Sequence, residues 1–179
     1  DITLRAIRTL RDCDLVAAED TRHTGMLLKR LGLAKRQVSA HKFNEAKRSG
    51  EIIELLQGRG TVAMVSDAGS PGISDPGQRL VAAVIEAGCR VETVPGACAL
   101  VAALTASGLA TDEFHFIGFL PVKSGQRAKR LAKLLALPGT LALYESPYRV
   151  VKLLGELVEH APDRPVVLAR ELTKKFEQI

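Results

Sequence analysis

A chain of 179 residues with 46% hydrophobic and 25% charged residues has the balance of a folded globular protein, which excludes disordered and fibrous classes. The formal net charge of +5 permits a polyanionic partner and does not require one. No apolar run approaches the ~18 residues of a membrane span, no signal-peptide pattern opens the chain, and three cysteines (13, 89, 98) without C-x-x-C spacing read as small buried thiols, so no membrane association and a cytoplasmic location are expected.

The first residues predict a helix over 3–12, with Thr3 as N-cap, followed by a strand over 14–20. A helix over 22–31 stops at Gly32, a strand covers 37–42, and a helix over 44–57 starts from Asn44. A strand over 61–66 then runs into the twelve residues "SDAGSPGISDPG", 66–77. Asp75 before Pro76 fits an N-cap with proline in the first helical position, so the next helix is expected over 76–87. A strand over 90–96 and a helix over 97–107 complete a repeating strand–helix order, the pattern of βαβ units with a mainly parallel sheet.

The texture changes at "GLATDEF", 108–114. "EFHFIGFLP" (113–121) alternates with period two, a basic helix is expected over 125–136, a strand over 140–146, a helix over 147–160 and a strand over 164–172. The alternation points to a mixed second sheet. The expected organisation is therefore α/β with two domains, 1–110 and 111–179. Residues 1–112 hold 14 Lys and Arg against 13 Asp and Glu, whereas 113–179 hold 11 against 7, so the excess positive charge is in the second part. The chain begins directly in a helix and stops without one, so it reads as part of a longer protein.

In open α/β sheets, ligands bind at the carboxyl ends of the strands. The residues leaving those ends are Glu19, Asp20 and Arg22, then His41 and Lys42, then Ser66, Asp67, Gly69 and Ser70, then Gly96, Ala97 and Cys98. This convergence predicts a polar cleft. Glu19 and Asp20 also fit as acids at a helix N-terminus. Asp67 is harder to explain by capping, because the next helix starts many residues later. The loop 66–77 holds three Gly, two Pro and two Asp but no Lys or Arg. It is no phosphate cradle of the Walker type, which needs a lysine. It suits a ligand with donors to offer: an amine, ribose hydroxyls or a metal. His41 has no second histidine at metal spacing, so no metal is expected. The serines lack a nucleophile elbow. "VPGACALVAAL" fits either close helix–sheet packing or a flat ring lying on a helix start. The helix after Lys123 carries Arg127, Lys129, Arg130 and Lys133 beside Leu131, Leu134 and Leu135. It reads as a solvated face or as a phosphate-contacting surface.

"AAEDTRHTGMLLKRLGL", "SAHKFNE", "VAMVSDAGSPGISDPG", "VPGACALVAAL", "FIGFLP" and "LYESPYRV" together resemble the ribosomal RNA small-subunit methyltransferase I family, within the tetrapyrrole-methylase superfamily. The resemblance runs over essentially the whole chain. It implies a two-domain class III methyltransferase fold, S-adenosylmethionine as cofactor, and 2′-O-methylation of a cytidine ribose in 16S-type rRNA of the small ribosomal subunit, by an enzyme that is usually a homodimer. By position, Asp67, Ala68, Gly69 and Ser70 match its acidic cofactor loop, and Ile73 packs beside the cofactor. Cys98 and Ala99 match the pair after Pro-Gly that contacts adenosine, with Gly96 letting backbone approach. Glu145 falls where the second domain reaches the cofactor. The family's opening strand and Pro/Gly-rich loop precede the position of Asp1, and its second domain continues beyond Ile179. For proton removal from the hydroxyl, Glu19, Asp20 and Lys42 are the candidates. Arg22 fits a phosphate or an acid, and Lys123, Arg127, Lys129, Arg130 and Lys133 fit the RNA backbone. The rivals are a tetrapyrrole substrate on the same fold and a non-catalytic RNA-binding module.

Overall fold

Leu15–Ala18 is a strand of four residues, all buried, and the first unit is built around it. In the computed structural model, which describes residues 1–41 and 44–179, this strand (β1) lies between β2 (Gln37–Ser39) and β3 (Val62–Val65) in a parallel sheet of order β2-β1-β3. A central parallel strand is covered on both faces, which is why "LVAA" has no polar position. Val16 and Ala18 face a cluster with Leu10 of α1 (Leu4–Asp12) and Leu28 of α2 (Thr21–Arg30). Leu15 and Ala17 face Ile52 of α3 (Glu45–Gln57) and Leu80 and Val84 of α4 (Gln78–Glu86). The two alanines let helices approach the sheet closely from either side. At the start of β1, Asp14 ties it to β3: one carboxylate oxygen accepts from the N–H and the hydroxyl of Thr61, both at 2.8 Å.

The chain divides into compact units of Asp1–Cys98 and Ala99–Ile179. The second holds α5 (Ala99–Ser107), β4 (Phe114–Phe119), α6 (Ser124–Leu135), β5 (Thr140–Tyr144) and α7 (Val150–His160). Its core joins Leu120, Leu131, Leu134 and Leu153, with Ile117, Leu141 and Leu143 packed against it.

Four expectations are corrected here. The second sheet is not mixed: β4 and β5 pair in parallel. The period-two reading of "FHFIGF" overlooked a bulge, where the register shifts between Phe116 and Gly118 and Gly118 takes φ 68°, a left-handed conformation open to glycine. Ile117 thereby packs on the leucine core, while Phe116 and Phe119 meet Tyr144 at ring-centroid distances of 5.0 and 5.8 Å. The strands expected over 90–96 and 164–172 do not form; among the described residues these segments find no ladder, apart from an isolated antiparallel bridge between Arg170 and Gln178. A strand exists only as one side of a pair, and composition alone does not supply the other side. Arg164 instead anchors the start of the second segment, donating to the carbonyls of Leu135 and Gly139 at 3.2 and 2.6 Å. Finally, α4 begins at Gln78 after Gly77, so Asp75 is not its cap.

Candidate functional site

Ala18 pairs with Val65 at the ends of two parallel strands, so the residues that follow, Glu19–His23 and Ser66–Gly77, emerge at the same edge of the first unit's sheet. Asp20 is the N-cap of α2, accepting from the N–H of Arg22 at 2.8 Å. The same carboxylate takes the Arg22 guanidinium on both oxygens, at 3.1 and 2.6 Å. The guanidinium holds the Asp20 carboxyl far below the usual carboxylate range, with the N–H bond adding to the effect. A carboxylate so stabilised is a weak base, which counts against the proton-removing role expected for Asp20. Glu19 accepts from the backbone N–H of Asp67 at 3.3 Å. Asp67 in turn brings Oδ2 to 3.2 Å from His23 Nδ1. Asp75 is half-buried; burial, then the charges of Glu19 and Asp67, raise its carboxyl above the ordinary value. It is a better proton-transfer group than Asp20. Lys42, the third expected candidate, lies outside the described residues.

The loop owes its glycines to backbone conformation. Gly69, Gly72 and Gly77 have φ of 68°, 82° and 131°, and Ser74 joins them at 61°. Only glycine takes the left-handed region without strain. The fold of the loop closes through Gly72 N–H to the Pro76 carbonyl at 3.0 Å, and Ser66 donates to the Ala68 carbonyl at 3.1 Å. Its far end is held from another element. Glu45, buried in the first turn of α3, accepts the N–H of Gly77, the residue from which α4 starts. A Cβ at Gly77 would run into Met64 as well as meet a forbidden φ. Asp67, Ala68, Gly69, Ser70 and Ile73 stay exposed, and among the described residues the N–H groups of Ala68, Gly69 and Ser70 donate to no protein acceptor. A row of open backbone donors and acceptors beside carboxylates can hold a ligand that carries both an ammonium and polar oxygens.

Gly96 is exposed and Cys98 half-buried at the end of the first unit, and Ala99 opens α5 in the second. In the second unit, Glu145 has a side chain only 6% exposed; one oxygen accepts from the N–H of Ser146 at 2.7 Å and meets Arg149 Nη2 at 2.5 Å, while the other oxygen has no partner among the described residues. Of the cations on α6, Lys129, Arg130 and Lys133 are exposed, as is Lys123 just before it. Arg127 is not part of that surface: its side chain is 2% exposed and pairs with Glu156 of α7 at 2.6 Å. The sequence carried the signal, because Arg127, Leu131 and Leu134 share one helix face at spacings of four and three. His23, Glu45 and Arg149 were also passed over; only their partners, distant in sequence or in the same motif, give them a role.

The family profile described as Tetrapyrrole (Corrin/Porphyrin) Methylases matches residues 1–179. The chain belongs to that family. Relatives of this chain include a protein named "Ribosomal RNA small subunit methyltransferase I" from Mesorhizobium japonicum, 50% identical over 180 residues covering 100% of this chain and 61% of that protein. The Synechocystis protein of the same name is 49% identical, covering 99% of this chain and 64% of that protein. The chain thus spans under two thirds of the length of these relatives. Among solved structures, cobalt precorrin-4 methyltransferase superposes with a TM-score of 0.65 at 21% identity, covering 99% of this chain and 77% of that one. Thermus thermophilus uroporphyrin-III C-methyl transferase, complexed with S-adenosyl homocysteine, gives 0.59 at 24% identity, covering 99% and 79%. At these identities the likeness concerns the fold, and it agrees with the expected class III methyltransferase architecture. No helix among the described residues is long and apolar enough to cross a membrane.

Proposed function

We propose that this methylase transfers the methyl group of S-adenosylmethionine to a cytidine ribose 2′-hydroxyl in small-subunit ribosomal RNA. The observation that carries the reading is the loop 66–77, an exposed acidic turn with left-handed glycines at the end of β3. The names of relatives about half identical over the whole chain support it. When bound, S-adenosylmethionine supplies a methyl group already activated on a sulfonium. The loop fits that cofactor: it has no cation to repel the sulfonium and ammonium, carboxylates to attract them, and open N–H groups for its carboxylate.

The work left to the chain is to hold the ribose and take the proton its hydroxyl loses. Glu19 and Asp75 stand at the rim for the proton. Arg22, exposed at the start of α2, can hold an RNA phosphate when Asp20 releases it. Lys123, Lys129, Arg130 and Lys133 provide a second, sequence-independent grip on the RNA backbone from the other unit.

The test uses tritiated S-adenosylmethionine, small ribosomal subunits lacking their native methylation, and the protein at its encoded length. Label on a single ribose 2′-oxygen is the expected result. Unlabelled RNA, from protein that still binds S-adenosylhomocysteine by calorimetry, would overturn the RNA reading and make tetrapyrrole precursors the next substrates to try.

A further inference from the structure

Arg170 and Gln178 exchange backbone hydrogen bonds, N–H to carbonyl at 2.8 and 2.9 Å, and so close residues 171–177 into a loop. We infer that this loop docks single-stranded RNA: a nucleobase stacks on the ring of Phe176, and Lys174 and Lys175 meet the phosphates on either side of it. The choice of RNA as partner rests on the function proposed above.

The loop has a built shape. The N–H of Lys174 donates to the Glu171 carbonyl at 3.0 Å, and that of Glu177 to the Lys174 carbonyl at 3.2 Å. The Glu177 carboxylate reaches back to accept the N–H of Thr173 at 2.5 Å. Glu171 and Thr173 take φ of 51° and 62° without being glycine, and for a β-branched residue such as Thr173 that conformation is a costly one. Non-glycine backbone held there gathers where a protein presents side chains to a ligand. What this backbone presents is Phe176, 70% exposed, with the Lys175 ammonium 5.5 Å from its ring centroid.

A lone apolar side chain in water is ordinary. The neighbours make this one specific. Both acids of the loop are engaged, Glu177 with the Thr173 N–H and Glu171 with Lys174 at 3.3 Å. Among the described residues Lys175 meets no carboxylate. The Lys174–Glu171 pair is exposed on both sides, so Lys174 can exchange its carboxylate for a phosphate at little cost. A protein or lipid surface would bury the ring among further apolar groups, whereas here Lys175 and Glu177 flank it. A nucleotide joins a flat ring to an anion, which is the pairing that Phe176 and two lysines complement. The exposed face of α6 differs: its cations have no aromatic residue on the same helix, so it grips the backbone of any RNA. The loop adds a contact to a base, and a base is free to stack only where the strand is unpaired.

The test is fluorescence anisotropy of a labelled oligocytidylate of about ten nucleotides, and of the same backbone without bases, on the protein at its encoded length and without cofactor. Phe176→Leu, which keeps an apolar side chain and removes the ring, is expected to weaken oligocytidylate binding roughly five- to hundredfold, and Phe176→Trp to restore it. Neither should move the urea midpoint, because the ring is in solvent. The base-free strand should bind wild type and Phe176→Leu alike. Lys175→Gln should flatten the slope of log affinity against log salt by about 0.7, the share of one phosphate on a single strand, while Phe176→Leu leaves that slope as it is. Oligocytidylate binding by Phe176→Leu as tight as wild type, or an equal loss with the base-free strand, would overturn the site. So would a change of oligomeric state on sedimentation with RNA affinity kept, which would make the ring a protein contact. The methylation assay is read apart from these: label on a ribose of the assembled subunit, from a variant whose oligocytidylate affinity is unchanged, leaves the proposed function standing and removes the docking loop.

Discussion

Arg22–Asp20 in the first unit and Arg127–Glu156 in the second close to the same 2.6 Å, yet the arginine side chains are 88% and 2% exposed. Distance is therefore no guide to what the contact does. In water, the guanidinium can exchange its carboxylate for another anion at little cost. In the interior, neither group has anywhere else to go, and removing one strands the other. The first pair belongs to the edge where Glu19, Asp20 and Asp67 gather. The second locks α6 to α7 beneath the leucine core.

The largest expected effect comes from breaking the buried pair. Arg127→Ala leaves Glu156 as an uncompensated, half-buried charge and empties the space of a buried side chain, and should destabilise the fold by about 3 kcal/mol. Arg127→Met combined with Glu156→Leu should recover most of that loss, because an apolar pair of similar volume avoids desolvation. Urea unfolding measures both. A double variant as unstable as the single one would show that the leucine core, not the charge, sets the stability of this region.

Next comes Glu45, the buried acceptor at the end of the loop. Glu45→Ala leaves the Gly77 N–H unpaired in the interior, a loss of about 1–3 kcal/mol. Because that bond holds the far end of 66–77, S-adenosylhomocysteine affinity should fall with it, by calorimetry. Normal affinity in a destabilised protein would separate the loop's shape from its anchor.

A smaller and more selective effect is expected on the exposed face of α6. Lys129→Glu with Arg130→Glu should change unfolding free energy by no more than about 0.5 kcal/mol. RNA affinity should weaken, and the slope of log affinity against log salt should flatten by about 1 for each phosphate that is no longer neutralised. The contrast with Arg127, three residues from Arg130 on the same helix, then rests on burial alone.

That contrast also marks how far the sequence could be read. Helices were legible because their apolar positions repeat every three or four residues, and β1 because a doubly covered strand is apolar throughout. The strands proposed at 90–96 and 164–172 have the right composition and lack a ladder, and no single segment reveals whether a partner exists. The candidate site was legible as a loop: Asp67, Gly69 and Ser70 directly follow a buried strand, and the next helix starts many residues later. Its other half was not. His23 gains significance from Asp67, 44 positions later, and Glu45 from Gly77, 32 positions later, so pattern within a segment could not find them. Asp75 was misread because Asp-Pro imitates a cap, whereas α4 starts from Gly77, whose N–H is held from across the fold by Glu45.

The smallest effect is the one that most sharpens the comparison. Arg22→Ala should leave the thermal midpoint at pH 7 nearly unchanged, since its pair is in solvent. Whatever stability the pair does contribute has a defined pH dependence. The folded Asp20 carboxyl lies below its unfolded value of about 3.9, so its contribution is fully present above that pH and is lost as pH falls through the folded value. Wild type and Arg22→Ala should therefore differ by a constant small amount from neutral pH down to about 5, then converge in stronger acid. Methyl transfer to RNA should drop in Arg22→Ala even where the two melting curves coincide. If activity instead follows the melting curves across pH, Arg22 is holding the helix start and not the substrate. The exposed pair would then be structural like the buried one, and the distinction drawn from their surroundings would fail.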